Sequence, residues 1–146
     1  MVVKKVCKDC LAEGVTTRRN AKYPGPRCAT HHRGRRKKRR DYSHQTHVEE
    51  TYSISYDQYW SIYEVQGGKC YLCRRANGAK RKLSVDHDHS CCSGSTSCGQ
   101  CVRGLLCRRC NTILGHFRDD TAAFERAIDY LTNPPARRAL NMERSN

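Results

Sequence analysis

Eleven cysteines in 146 residues constrain this chain more tightly than any hydrophobic pattern in it. The central stretch opens with Cys70-Tyr71-Leu72-Cys73 and closes with Cys107-Arg108-Arg109-Cys110. Each C-x-x-C pair can wrap one turn around a metal, and two such turns complete a tetrahedral four-thiolate zinc site. Near the N-terminus, Cys7-Lys8-Asp9-Cys10 is followed by Cys28-Ala29-Thr30-His31-His32, which reads as a finger with three thiolates and one imidazole. His31 is favoured over His32 as its fourth ligand, because two-residue spacing lets both side chains reach one ion from a tight turn. The remaining cysteines, Cys91, Cys92, Cys98 and Cys101, make a third four-thiolate zinc site if all are used, and the count then leaves none over. Adjacent Cys91 and Cys92 need an unusual backbone to share one ion, so a partial site is the alternative there. Unrelated free thiols are the alternative for the finger.

Composition makes metal necessary. Only 37% of the residues are hydrophobic, with two Phe and one Trp, so a core built from those alone is thin. Small domains in that position need metals or disulfides. Met1-Val2-Val3-Lys4-Lys5 has no apolar run behind it, and no stretch approaches the about 18 apolar residues of a membrane span. The expected setting is therefore a reducing cytoplasm, not the secretory route, with no membrane partner and thiols serving as metal ligands. Formal charge is +14. Thiolate ligation at three zinc sites lowers it to about +9, which still points to a polyanion. Charge alone does not separate DNA, RNA and an acidic membrane surface.

The expected organisation has four parts. Residues 1–32 are the N-terminal zinc finger, folded back by the Pro24-Gly25-Pro26 turn. Residues 33–51 are a basic arm and linker, beginning with Arg33, Arg35, Arg36, Lys37, Lys38, Arg39 and Arg40. Like charges there oppose an isolated helix, and the run is expected to track phosphates without sequence preference. Residues 41–52 read as polar linker, with His44 and His47 on the surface. Residues 52–118 form the core. A helix is expected over 55–66, opened by the Ser55/Gln58 capping box, ended by Gly67-Gly68, and carrying Tyr56, Tyr59, Trp60 and Tyr63 on one inward-packed face. Strands are expected over 82–88 and 102–106, with a helix from near Asn111. In a regular strand Asp86 and Asp88 share one face and His87 and His89 the other. Residues 119–146 form a helix over 119–132, capped by Asp119 or Asp120, with Ala123, Phe124, Ala127, Ile128 and Leu131 as its apolar face, then a frayed basic tail.

Cys70 and Cys73, the Val85-Asp86-His87-Asp88-His89 run, Val102-Arg103-Gly104-Leu105-Leu106-Cys107, Cys110-Asn111 and Leu114-Gly115 together resemble the HNH, or ββα-metal, nucleases. Within them the closest likeness is to the recombination endonuclease VII family, covering residues 52 to 118. The resemblance implies a small zinc-stabilised α+β protein with a ββα-metal core, the N-terminal finger and flanking helices. It implies hydrolysis of phosphodiester bonds in branched DNA during phage DNA maturation, in the host cytoplasm. By the same resemblance His87 is the general base, Asp86 and Asn111 hold magnesium, His89 meets the phosphate or assists the metal, and Arg103 contacts the DNA backbone. Those residue types suit the chemistry: imidazole titrates near 6.5, and magnesium prefers hard oxygen ligands. Asp88 is assigned only an orienting role, and His116 stays open between site and solvent. The family's strands are joined by a short turn, whereas this chain inserts the segment bearing Cys91 to Cys101. Junction cutting wants two active sites and hence a homodimer, which the family builds from C-terminal helices. Competing readings are a general HNH nicking, homing or packaging-associated nuclease, and a non-catalytic zinc-finger DNA-binding protein.

Overall fold

A short antiparallel hairpin and the helix that follows it occupy the middle of the protein. The computed structural model describes residues 5–15 and 19–140. Along them run α1 (Lys8–Ala12), α2 (Ala29–Tyr52), α3 (Tyr56–Val65), β1 (Ser84–His87), β2 (Val102–Leu106), α4 (Arg108–His116), α5 (Thr121–Thr132) and α6 (Pro135–Ala139). Strand β1 pairs with β2 in the register Ser84↔Leu106, Val85↔Leu105, Asp86↔Gly104 and His87↔Val102. Arg103 is thus the extra residue of a bulge opposite the Asp86–His87 step. The bulge breaks the simple alternation: Val85, Asp86 and His87 are all buried.

Helix α3 forms as its sequence dictates. Ser55 Oγ accepts from the Gln58 amide at 3.1 Å, and Gln58 Oε1 accepts from the Ser55 amide at 2.7 Å. Tyr59 is buried, and its hydroxyl donates to the Leu83 carbonyl at 3.0 Å, tying the helix to the start of β1. Gln66, just beyond α3, is also buried and acts as a substitute strand. Its Oε1 accepts from the Leu105 amide at 2.7 Å, and its Nε2 donates to the Leu105 carbonyl at 2.8 Å. Gly104 makes room for it, since a Cβ there would lie 2.8 Å from Gln66 Oε1.

The core around these contacts joins Val48, Ile54, Tyr59, Leu83, Val85, Leu105 and Leu106 to Cys70 and Cys110. A second, separate cluster consists of Cys7, Cys10 and Cys28, with Val15 and Ala21 packed on it. These five cysteines are therefore core residues, as so few hydrophobic side chains require.

Residues 33–40, expected not to be helical in isolation but able to continue a helix from the finger, and residues 41–52, expected as a polar linker, are both part of the single 24-residue helix α2. Its ends are held. Cys28 is its N-cap and His31 lies in its first turn beside the finger cysteines, while Val48 near its far end is buried in the core. Anchored ends offset the repulsion that would fray the same sequence alone, and Arg and Lys are good helix formers in their own right. His44 is half-buried against Tyr59 at 4.9 Å between ring centroids, not on the surface as expected.

Helix α4 begins at Arg108, three residues before the expected start, so Cys110 and Asn111 both lie in its first turn. Helix α5 is capped by Asp120, which accepts from the Ala122 amide at 2.9 Å. Its apolar stripe is covered only in part: Phe124 meets Phe117 at 5.0 Å, while Ile128 and Leu131 are 62% and 77% exposed. Part of the expected tail is helical as α6, started by Pro135 in its first turn. The rest, 141–146, lies outside the described residues. Among the described residues no helix is long and apolar enough to cross a membrane.

Candidate functional site

Three groups of ligands gather as the sequence spacing requires: Cys7, Cys10, Cys28 and His31; Cys70, Cys73, Cys107 and Cys110; Cys91, Cys92, Cys98 and Cys101. Within each group all ligand atoms lie within 4.8 Å of one another. Zn–S bonds of about 2.3 Å place the corners of a sulfur tetrahedron about 3.8 Å apart, and an S–N edge is about 3.6 Å. The Sγ separations Cys10–Cys28, Cys73–Cys107 and Cys91–Cys98 are each 3.9 Å, and His31 Nδ1 stands 3.3 to 3.4 Å from Cys7, Cys10 and Cys28. Disulfides would bring the sulfurs to about 2.05 Å. These donor sets can each bind zinc.

His31, not His32, turns to the thiols. Its Nε2 meets Glu13 at 2.8 Å, the carboxylate-to-imidazole support that orients a metal-binding histidine. His32 stacks on Tyr23 at 4.5 Å instead. In the central group, Cys73 is held down to about 6 by the Ala76 and Arg75 amides, while burial, then the crowd of neighbouring thiols, pushes Cys110 up to about 12. The third group solves the problem of adjacent cysteines with a turn: the Cys91 and Cys92 amides both donate to the Asp88 carbonyl, at 3.2 and 3.1 Å. This insertion is docked, since the Ser97 amide donates to the Thr51 carbonyl at 2.9 Å and Ser53 Oγ donates back to Ser97 O at 2.9 Å.

The acidic and histidine run lies between the second and third groups. His87 is 5% exposed, and its Nε2 is 3.3 Å from the Cys92 carbonyl oxygen. His89 lies beside it, ring centroids 4.5 Å apart, and Tyr52 flanks it at 6.0 Å. Asp86 receives Arg103 on both oxygens, Nε to Oδ2 at 2.8 Å and Nη2 to Oδ1 at 3.1 Å. Arg103 also reaches Asp119 at 3.0 Å, so the bulge residue bridges β1 to the segment before α5. Asp88 pairs with the backbone of the following turn. Its Oδ1 accepts from the Ser90 amide at 2.8 Å, a bond that holds its carboxyl below the usual range.

Asn111 sits on α4, which packs against both strands. Its Oδ1 is buried and has no hydrogen-bond partner among the described residues. A buried acceptor of that kind is costly and is a mark of a functional position. An amide oxygen and a carboxylate are each hard donors of the kind magnesium prefers. Arg103 leaves lone pairs on Asp86 free, because two carboxylate oxygens offer about four acceptor positions.

The basic residues Arg33 to Arg40 line the exposed N-terminal half of α2, away from the His87–His89 ring pair in sequence but on the helix whose other end meets it through Tyr52. His116 closes α4 with its ring against Phe117 at 5.4 Å. Three contributors were not singled out from the sequence: the Cys92 carbonyl, Asp119 and Tyr52. Their role here depends on tertiary placement. Only the overlap of the insertion with the histidine run hinted at the first.

The fold and its metal-ready clusters define a cysteine-rich α+β protein built around a strand–strand–helix unit. The chain belongs to the recombination endonuclease VII family, whose sequence profile matches residues 44–133. It is 56% identical over 134 residues to the Gene 59 protein of Mycobacterium phage L5, covering 91% of this chain and 77% of that one. The Gene 59 protein of Mycobacterium phage D29 is 54% identical over the same length, covering 91% and 76%. No solved structure matches the chain.

Proposed function

We propose that the protein is a magnesium-dependent HNH-type DNA endonuclease that hydrolyses phosphodiester bonds in branched DNA in the host cytoplasm. The observation that carries this reading is the buried Oδ1 of Asn111, without a hydrogen-bond partner among the described residues, on the helix packed against the Asp86–His87 strand. A zinc-finger protein that only bound DNA would have no reason to keep that cost.

In this mechanism Asp86 and Asn111 would hold magnesium, which would neutralise the charge that develops on the phosphate and the leaving oxygen. His87 takes the proton from the attacking water. Donation of Nε2–H to the Cys92 carbonyl fixes the tautomer and leaves the Nδ1 lone pair as the base. Burial keeps bulk water from competing for that ring. His89, in ring contact with His87, meets the phosphate. Arg103 holds Asp86 in place and offers the rest of its guanidinium to the DNA backbone. Each of the three ligand groups would hold a structural zinc with its four protein donors. The N-terminal half of α2 grips phosphates through Arg33, Arg35, Arg36, Lys37, Lys38, Arg39 and Arg40, without sequence preference. Two copies pair through the uncovered stripe of α5, Ile128 and Leu131, placing two sites on one junction.

The test is cleavage with magnesium of a four-way junction and the matching linear duplex, by the parent and by His87→Ala. Selective paired cuts in the junction that vanish in the variant support the reading. Equal nicking of both substrates indicates a general nuclease. Tight binding without cutting in magnesium or manganese returns the protein to the binding class.

A further inference from the structure

A cleft of about 690 Å³ runs between α2, α3 and the loop 77–82, ending at the start of β1. Its size falls in the range of about 300–1,000 Å³ that specific ligand sites occupy. Apart from Lys37 and Arg40, already assigned to phosphate contact, its lining takes no part in the mechanism above. Lys37 and Arg40 line it from α2, and Lys80, Arg81 and Lys82 from the loop, against one carboxylate, Asp41. The floor is aromatic. Trp60 is held at 5.8, 5.4 and 5.2 Å from Tyr56, Tyr59 and Tyr63, with interplanar angles of 76°, 90° and 82°. One face of its ring carries the Lys82 ammonium, 4.3 Å from the centroid.

Helical spacing puts Trp60 on the packing face of α3, which would make it an ordinary core residue. The geometry differs. Trp60 packs against the core and the three tyrosines but is only half-buried, and the end of a flexible lysine at the cleft wall lies over its ring. A lysine there can swing to a phosphate and leave the ring to a flat apolar group. Cations on two walls and a rigid aromatic face between them are the chemistry by which proteins hold single-stranded nucleic acid, phosphates outward and bases stacked. A duplex does not fit this arrangement, because its bases are already stacked on one another. An acidic peptide would pair with the lysines but has no use for the ring.

We infer that the cleft between α2, α3 and the 77–82 loop binds a single strand of DNA, with one base stacked on Trp60 and its phosphates on Lys80 and Lys82. Tyr52 lines the same cleft and its ring is 6.0 Å from that of His87. A strand lying in the cleft therefore leads to the candidate base. The inference rests on the nuclease reading for that direction only: the preferred substrate is a branch with an unpaired arm. Binding itself does not depend on cleavage.

Trp60 is the chain's single tryptophan, so its emission reports the cleft directly. Zinc-loaded full-length protein in magnesium-free buffer is titrated with a short oligodeoxythymidine and, separately, with a duplex of equal length. Tryptophan emission and the anisotropy of labelled DNA are read together. The expected result is quenching by the single strand, with the same midpoint in both signals, and little quenching at saturation with duplex. The double variant Lys80→Gln, Lys82→Gln leaves the core untouched. It is expected to lose about tenfold in single-strand affinity, at least fivefold more than it loses for duplex. Single-strand binding with Trp60 emission unchanged overturns the inference, as does an equal loss for both DNA forms. Quenching without junction cleavage sinks the nuclease reading and leaves the cleft standing. Cleavage without quenching does the reverse.

Discussion

Replacing Asn111 by Leu separates a functional cost from a structural one. Oδ1 of Asn111 is buried without a partner among the described residues. An unsatisfied buried acceptor costs about 1–3 kcal/mol. Asn111 lies within α4, and Leu is close to it in size and a better helix former. In zinc-saturated, magnesium-free protein, Asn111→Leu is therefore expected to be more stable than the parent by about 1–2 kcal/mol. At an m-value of about 2 kcal/mol/M this raises the urea midpoint by about 0.5–1 M. Magnesium at about ten times its dissociation constant should stabilise the parent by about 1.4 kcal/mol, and the variant not at all. Cleavage should be lost. Urea unfolding followed by far-UV circular dichroism, with and without magnesium and at constant free zinc, reads all of this. A variant less stable than the parent without magnesium, or one that keeps the magnesium shift, refutes the assignment of Asn111 as a metal ligand.

Gln66→Leu should destabilise the hairpin by about 2–3 kcal/mol, because the buried Leu105 amide loses its acceptor; the urea midpoint checks it. Gly104→Ala is expected to cost more than 1 kcal/mol for a different reason, since a Cβ would press on Gln66 Oε1 at 2.8 Å; the cost should shrink in a Gln66→Ala background, as a double-mutant cycle would measure. Elemental analysis should find three zinc ions per chain, and Cys98→Ser should leave two. Under limiting chelator the Cys91, Cys92, Cys98 and Cys101 group, with Cys91 and Cys98 exposed and none of the four buried, should lose its ion first, and cleavage should fall with it because the Cys92 carbonyl orients His87.

Local signals in the sequence were strong enough to place α3 and the three ligand groups. The capping box and the four aromatics of α3 are short-range features, and C-x-x-C spacing is itself a statement of geometry. Helix α2 was hidden because its stability is imported. Seven basic residues in eight argue against a helix until one end is tied to a finger and the other to Val48 in a core. Helix α4 started early for a related reason: the second cysteine of a knuckle is already helical when its partner, Cys107, is the N-cap. Asp86 and His87 were found as a motif, but the pairing of Asp86 with Arg103 depends on a bulge no pattern marks. Gln66 looked like any polar residue ahead of two glycines, and only the folded hairpin reveals it as a strand in miniature.

The unbroken run of α2 makes the protein a ruler. Twenty-four helical residues span about 36 Å, close to the length of one turn of B-DNA, about 34–36 Å. Whatever the finger holds is thereby kept at a set distance and azimuth from the hairpin. Two residues added to the middle of α2 would swing the finger to the opposite side, about 200° around the axis, whereas seven would restore its facing and only move it about 10 Å outward. On the proposed reading of α2 as a phosphate grip, the length of that basic segment would set phase along the double helix and not merely reach.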